Sequence, residues 1–228
     1  MGEILVDNRV IVCPGDLLGK GLDIIAGRNT YRVGENIYAK IKGLTNIRGK
    51  IISIIPLAGC YIPEKGHSVI GEIYEVGTAN WLVEINAPWL ANLPLGEAVS
   101  EYVDVLREDL SKYFDVGDII YARVLNVPKN KMIQLSLKGP NYRKLIGGKI
   151  IKISPSKVPR VIGRKGSMIN IIMQLTKCKI IIGQNGWIWV KGDPRMEILV
   201  ARALEMIEKE SHTKGLTERV KAFLEERI

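Results

Sequence analysis

Apolar and polar positions alternate over short distances in the first 60 residues, which is the period of β-strands. The alternation predicts strands at residues 10–12, 36–41 and 50–55. Between the first two, Cys13-Pro14-Gly15-Asp16 has the composition of a turn. Frequent glycines keep the remaining segments short and loop-like. We therefore expect a small β domain at residues 1–60.

The same alternation continues through residues 61–140, which we interpret as a second β domain. It predicts strands at residues 68–76, 80–85, 119–127 and 132–137, with a turn at residues 128–131 before the last. Residues 99–113 are expected to be partly helical or irregular. Several short strands in this length of chain favour a five-stranded Greek-key barrel of the oligonucleotide-binding (OB) kind.

Residues 141–228 change to a mixed pattern of strands and helices. In chain order the pattern predicts a strand, two helices, two strands and a long helix, at residues 149–153, 158–162, 167–175, 179–182, 187–190 and from Asp193-Pro194 onward. We expect Ser167 to cap the second helix and a final short helix to follow Thr217. The fold class predicted for the chain is therefore α+β with three domains.

Charge is distributed unevenly along the chain, whose net charge is +9. Residues 119–192 carry 15 basic side chains and no acidic one, whereas residues 64–118 carry 3 basic and 11 acidic ones. A long acid-free stretch indicates an anionic partner. No apolar run approaches the ~20 residues that span a bilayer, no signal-peptide pattern is present, and three scattered cysteines fit a reducing compartment. We expect a cytoplasmic protein without a membrane partner.

The loop Gly163-Arg164-Lys165-Gly166 lies between two predicted helices, where glycines permit a sugar-phosphate backbone to approach and the next helix presents its N–H groups. In this setting the segment resembles a KH domain of the first type, with the order β-α-α-β-β-α. The resemblance implies that this loop clamps about four nucleotides of single-stranded nucleic acid. It also implies a base-binding groove lined by Ile162, Ile169 and Ile180, with Arg160 beside it. Plain core packing is the alternative for the isoleucines.

The predicted barrel resembles an S1-motif domain, an OB-fold module of RNA-binding proteins. The resemblance rests on residues 66–73, 81–85, 93–95, 116–124 and 133–138. One departure is that Ala79 and Leu82 occupy the places where such domains usually present aromatic rings. Trp81 alternates with Val83 and Ile85 and is expected to face the core.

Five residues of the predicted barrel are candidates for RNA contact. Tyr121 and Arg123 alternate with apolar neighbours and should point outward, Lys129 and Lys131 lie in the next turn, and Trp89 lies in a loop after Pro88. A solvated strand face is the alternative for Tyr121 and Arg123. Together with the KH loop, these residues predict one continuous positive path for an RNA strand.

Enzymatic chemistry finds little support in the residues. The two histidines, His67 and His212, and the scattered cysteines have no metal-ligand spacing. Gly15 to Lys20 departs from a P-loop in its spacing and in Gly21, which stands where Ser or Thr would bind magnesium. Acidic residues at 101, 104, 108 and 109 are interpreted as a solvated or partner-facing segment. We expect no catalytic residue, no metal and no cofactor.

A small β domain, an S1-motif barrel and a KH domain in that order resemble the RNA-binding cap subunits of the archaeal exosome, of the ribosomal-RNA-processing-protein-four type. Two local sequences carry the resemblance further, Pro14-Gly15-Asp16 and Gly183-Gln184-Asn185-Gly186-Trp187-Ile188-Trp189-Val190. The resemblance implies a non-catalytic role: three copies cap a hexameric ring of RNase PH-type subunits and feed single-stranded RNA 3′ ends into it. The domain at residues 1–60 would dock on the ring.

Two other classes of function remain open at this point. One is a transcription or translation factor that uses the same S1-motif and KH modules. The other is a nuclease or nucleotidyl transferase in its own right, for which the chain has no room for the catalytic domains that such enzymes add.

Overall fold

The computed structural model describes residues 2–99, 109–129, 131–211, 213 and 215–227. The chain forms two compact units, Met1–Gly59 and Cys60–Ile228. The acidic positions 101, 104 and 108, and His212, lie outside the described residues. Within the described part, no helix is long and apolar enough to cross a membrane.

The first unit is built from eight short strands in two four-stranded sheets. One sheet has the order β1-β3-β6-β5 and the other β2-β7-β8-β4. The strands are β1 (Glu3–Ile4), β2 (Ile11–Val12), β3 (Leu17–Lys20), β4 (Ile25–Ala26), β5 (Thr30–Val33), β6 (Asn36–Ala39), β7 (Gly43–Arg48) and β8 (Ile51–Pro56). Aliphatic side chains, among them Leu18, Ile37 and Ile52, form its core. The predicted turn is confirmed, since the Asp16 N–H donates to the Cys13 carbonyl at 3.1 Å.

The second unit begins with a closed five-stranded barrel. Its strands are β9 (Ser68–Val76), β10 (Asn80–Glu84), β11 (Ala91–Pro94), β12 (Ile119–Asn126) and β13 (Ile133–Ser136), and a short helix, α1 (Leu95–Ala98), follows β11. The sheet runs β13-β11-β10-β9-β12 and closes through pairing of β12 with β13. Trp81 is fully buried in the barrel, as expected, and its Nε1–H donates to the Phe114 carbonyl at 2.9 Å.

A further strand, β14 (Arg143–Leu145), extends the barrel sheet by pairing antiparallel with the first half of β12. In that register Tyr121 lies opposite Arg143. Directly opposed residues share one face of a sheet. Both side chains therefore stand on the outer side of the barrel, because the alternating neighbours Ile120 and Ala122 fill its interior.

The rest of the second unit has the strand and helix order of a KH domain of the first type, as predicted. It comprises β15 (Lys149–Lys152), α2 (Val158–Ile162), α3 (Ser167–Thr176), β16 (Lys179–Ile182), β17 (Trp187–Lys191) and α4 (Pro194–Lys209), followed by α5 (Leu216–Glu225). The sheet is antiparallel with the order β15-β17-β16. Val161, Ile172, Ile188, Val200 and Leu204 are among the residues of its core. The predicted α+β fold class is confirmed.

One prediction about this region is wrong. Ser167 does not cap α3 but is its first helical residue, and the capping position belongs to Gly166 with φ of +79°. The glycine takes this position because the chain must turn through a left-handed conformation, in which a side chain is strained.

Candidate nucleic-acid interface

The loop between α2 and α3 has a backbone that only glycine adopts easily. Gly163 has φ of +76° and Gly166 has φ of +79°, while Lys165 between them is also left-handed with φ of +52°. A Cβ on Gly163 would lie 2.8 Å from the Met168 backbone nitrogen. The turn therefore brings its backbone close to the start of α3.

The N-terminus of α3 faces the loop. Its capping residue is a glycine, which has no side chain to occupy the helix N–H groups, and the first of these groups, that of Ser167, donates to the Arg164 carbonyl. The first N–H groups of a helix have no intrahelical partners and carry the positive end of its dipole. Arg164 and Lys165 are exposed beside them. This combination suits a phosphate group of a nucleic-acid backbone.

The three isoleucines of the expected groove differ in how much surface they offer. Ile162 at the end of α2 and Ile180 on β16 are half-buried and pack on the KH core. Ile169 on α3 is only 8% exposed. Ile162 and Ile180 therefore retain apolar surface for a base, and Ile169 contributes mainly to packing.

Arg160 lies on α2, exposed, and its guanidinium Nη2 donates to the Thr213 carbonyl at 2.8 Å. This bond ties α2 to the connection between α4 and α5. The residue thus has a structural partner that the sequence did not indicate, and its contact with RNA stays a prediction.

On the barrel, Tyr121 and Arg123 point outward from β12 as expected, but their surroundings differ. Arg123 is exposed. Tyr121 is half-buried against the cluster formed by Ile70, Leu145, Trp187 and Trp189, and its ring lies 5.3 Å from that of Tyr142. The outer face of β12 at Tyr121 is therefore covered in part by the KH module.

Trp89 and Lys131 belong to two different loops of the barrel and meet. The Lys131 Nζ lies 4.0 Å from the centre of the Trp89 ring, which is 36% exposed. Such a cation–π contact contributes about 0.5–1 kcal/mol at an exposed site. Lys129 is exposed nearby in sequence. The pair presents an aromatic face and a positive charge together, which single-stranded nucleic acid binds through stacking and phosphate contact.

The turn Gly183-Gln184-Asn185-Gly186 fixes the KH module to the barrel. Asn185 is fully buried, its Nδ2 donates to the Ile70 carbonyl at 2.7 Å and to the Ile85 carbonyl at 3.0 Å, and its Oδ1 accepts from the Ile70 N–H at 3.3 Å. Gln184 adds a bond, since its Oε1 accepts from the Ser68 N–H at 2.9 Å. The two modules are therefore joined by a buried amide in a position set by three backbone groups.

The basic side chains near this junction have few acidic neighbours. Lys144 pairs with Asp118, Lys138 with Glu97 at 3.2 Å and Lys149 with Glu197 at 3.9 Å, all carboxylates outside residues 119–192. A hydrogen bond from Ser136, and then the bond and charge of Lys138, hold the pKa of Glu97 below its ordinary value.

Four other cations, Arg123, Arg143, Arg164 and Lys165, form no ion pair with any of the described residues. Their charge remains available to an anionic partner.

The thiol that lies in the KH core is not suited to nucleophilic chemistry. Cys178 is 4% exposed, and its burial raises the pKa of the thiol above the ordinary value, with smaller contributions from Glu197 and Asp193. The thiolate is the reactive form. The site as a whole is therefore equipped to bind a nucleic acid through backbone amides, cations and apolar surface.

Family models match three consecutive parts of the chain. The model of the exosome RNA binding protein RRP4 N-terminal domain matches residues 9–58, that of the RRP4 S1 domain matches residues 60–126, and that of the KH domain matches residues 148–196.

Relatives match over nearly the whole length. The exosome complex component Rrp4 of Pyrococcus horikoshii is 50% identical over 231 residues, covering 100% of this chain and 87% of its own. That of Methanothermus fervidus is 49% identical over 221 residues, covering 97% of each. A crystal structure described as an exosome complex RNA-binding protein has a TM-score of 0.70 and 37% identity, covering 74% of this chain and 97% of its own. With its three matched domains and these full-length relatives, the chain belongs to the family of the exosome complex component Rrp4.

Proposed function

We propose that this chain is the non-catalytic RNA-binding subunit of an archaeal exosome. Three copies cap a hexameric ring of RNase PH-type subunits, capture single-stranded RNA and direct its 3′ end into the ring for 3′-to-5′ degradation or tailing. The names of its relatives support the exosome, and the S1-motif and KH modules support the RNA. Three free cysteines fit the reducing cytoplasm, where we place it.

The observation that carries the RNA-binding part is the glycine-capped N-terminus of α3 beside the exposed Arg164 and Lys165. A phosphate there accepts hydrogen bonds from backbone N–H groups and meets two cations, while the glycines leave room for the sugar. The half-buried Ile162 and Ile180 then offer apolar surface to the bases. On the barrel, Arg123, Lys129 and the Trp89–Lys131 pair extend the contact.

The ring-docking part is supported by the surface of the first unit. Half of the exposed large apolar side chains among the described residues fall in residues 1–59, although this unit is about a quarter of the chain: Leu5, Val10, Ile11, Leu22, Ile25, Tyr31, Val33, Ile51 and Ile55. Apolar surface that concentrates in one part of a chain supports a protein–protein interface there. We assign residues 1–60 to the ring, and residues 61–140 and 141–228 to RNA.

The direct test of the RNA site reverses the charge of its loop. Arg164→Asp with Lys165→Asp should weaken binding of a single-stranded RNA at least ~10-fold and flatten the plot of log K against log salt by about 1.4, because two phosphate contacts are lost. The matched control is Arg195→Glu with Arg202→Glu, two exposed arginines on α4 that lie outside the loop. An equal loss in both variants, or no loss in the loop variant, would contradict the assignment.

A further inference from the structure

An open cleft of about 350 Å³ lies where the barrel meets the KH sheet. Tyr121, Asn141 and Arg143 form its barrel side, and β16, through Ile180–Ile182, forms its KH side. The volume is at the small end of the range of ligand sites, roughly 300–1,000 Å³. It has room for one group of nucleotide size.

The KH wall of the cleft is formed by an edge strand. β16 is the terminal strand of its sheet, with β17 on its inner side. Every second residue of such a strand directs its N–H and C=O to the outer edge. Ile180 packs toward the KH core and Ile181 toward the junction cluster, so the strand contributes an apolar surface on both faces as well.

The barrel wall supplies charge, an amide and an aromatic ring. Arg143 is exposed and makes no ion pair with a described residue, and it lies opposite Tyr121 in the register of β14 with β12. No carboxylate is among the residues that line the cleft. A guanidinium without an acidic partner, next to an aromatic ring, suits a phosphate and a base together.

The two walls are held at a fixed distance. The buried Asn185 and the cluster of Ile70, Leu145, Trp187 and Trp189 join barrel and KH sheet directly beside the cleft. A cleft between two rigidly joined modules is preformed, and a preformed site loses little entropy on binding.

We propose that this cleft binds one nucleotide of the RNA strand as it passes from the KH loop to the barrel. Arg143 binds its phosphate, Tyr121 and Ile181 contact the base, and the Asn141 amide and the outer edge of β16 bond to polar groups on the base. The proposal rests on the RNA-binding function above and adds to the KH groove a second wall, which the barrel supplies through Tyr121, Asn141 and Arg143.

The test compares two lengths of RNA on the Arg143→Gln variant. A four-nucleotide RNA, which the KH loop and its groove bind without needing the barrel, should lose little affinity. A ten-nucleotide RNA should bind several-fold more weakly, and its salt slope should fall by about 0.7, because one phosphate contact is lost. Arg202→Gln, an exposed arginine on α4, is the matched control and should change neither.

A second readout locates the strand. A ten-nucleotide RNA containing 4-thiouridine, crosslinked by light to the wild-type chain and digested, should label peptides that contain Tyr121 or Asn141. The proposal fails if Arg143→Gln equals Arg202→Gln at both lengths, or if the four-nucleotide RNA loses as much affinity as the longer one. An extended peptide that pairs with the edge strand β16 is the alternative occupant of the cleft. The proposal also fails if Arg143→Gln weakens the binding of such a peptide and leaves the binding of RNA unchanged. In each case, loss of binding in Arg164→Asp with Lys165→Asp would leave the proposed function standing.

Discussion

Asn185 satisfies three backbone groups of the barrel from within the KH hairpin. Its position follows from Gly186, whose φ of +86° closes the turn, and from Gly183, where a Cβ would lie 2.8 Å from the Ile70 nitrogen. A buried amide that is fully hydrogen-bonded specifies one arrangement of its neighbours, because any other arrangement leaves polar groups unpaired.

Asn185→Ala should therefore destabilise the second unit by about 3 kcal/mol, since it leaves buried backbone groups of Ile70 and Ile85 without partners. All four tryptophans lie in that unit, so the urea dependence of tryptophan fluorescence reports its unfolding. Gln184→Ala, which removes one bond at an exposed position, is the control and should cost no more than about 1 kcal/mol. Equal effects of the two substitutions would show that burial of Asn185 is not what joins the modules.

The same junction shows where alternation along a strand stops being informative. It correctly placed Trp81 inside the barrel and Tyr121 outside. It could not show that the outside of β12 is covered at Tyr121, because the covering residues, Trp187 and Trp189, are more than 60 positions away. The available signal was that Trp187 and Trp189 are two residues apart on one strand and therefore share a face. Two large aromatic rings on one face indicate that this face is covered.

Among the elements, those with a strong period or a clear boundary were predictable from sequence. Residues 68–76, 158–162 and 179–182 have the predicted bounds. In the first unit β1, β3, β4, β5 and β7 were not predicted. Two strands of the second unit were not predicted either: β11, which ends in Pro94, and β14, which has three residues. Such strands form through pairing with β10, β12 and β13, which is information from the tertiary structure. The cap of α3 was assigned wrongly to Ser167, because the left-handed turn before the helix places Gly166 at the capping position.

The start of α4 provides a test at this scale, because here the predicted cap is confirmed. Asp193 Oδ1 accepts from the Arg195 N–H at 2.9 Å, and Pro194 occupies the first turn. Asp193→Ala should lower the free energy of unfolding of the second unit by about 1 kcal/mol, whereas Asp193→Asn should retain most of it. Both are measured by urea unfolding followed by tryptophan fluorescence. If Asp193→Asn loses as much as Asp193→Ala, the charge and not the hydrogen bond stabilises the helix start.

On the scale of the second unit, acidic and basic side chains lie on neighbouring strands of the barrel sheet. Glu72 and Glu84 lie directly opposite each other on β9 and β10. On the other side of β9, β12 carries Tyr121 and Arg123 and is followed outward by β14 with Arg143. Two like charges opposed in a sheet cost stability. RNA would be repelled by this acidic pair and attracted by the arginines, which agrees with the proposed path along β12, β14 and the KH loop.

The proposed function requires that RNA captured by this path reaches the ring. The most direct measurement is the initial rate at which a ring of RNase PH-type subunits degrades a limiting single-stranded RNA in the presence of phosphate and magnesium. It is made with the wild-type chain, with Arg164→Asp plus Lys165→Asp, with Arg195→Glu plus Arg202→Glu, and with no added chain. Native mass measurement of each mixture tests whether the chain assembles with the ring in the proposed ratio of three copies per hexamer.

We predict that the wild-type chain and the α4 control accelerate degradation by the ring. The loop variant should assemble with the ring but accelerate degradation at least ~10-fold less, because two phosphate contacts are lost. The chain alone should degrade nothing. Equal acceleration by the wild-type chain and the loop variant, or no assembly with the ring while the chain copurifies with RNA polymerase or the ribosome, would contradict the account.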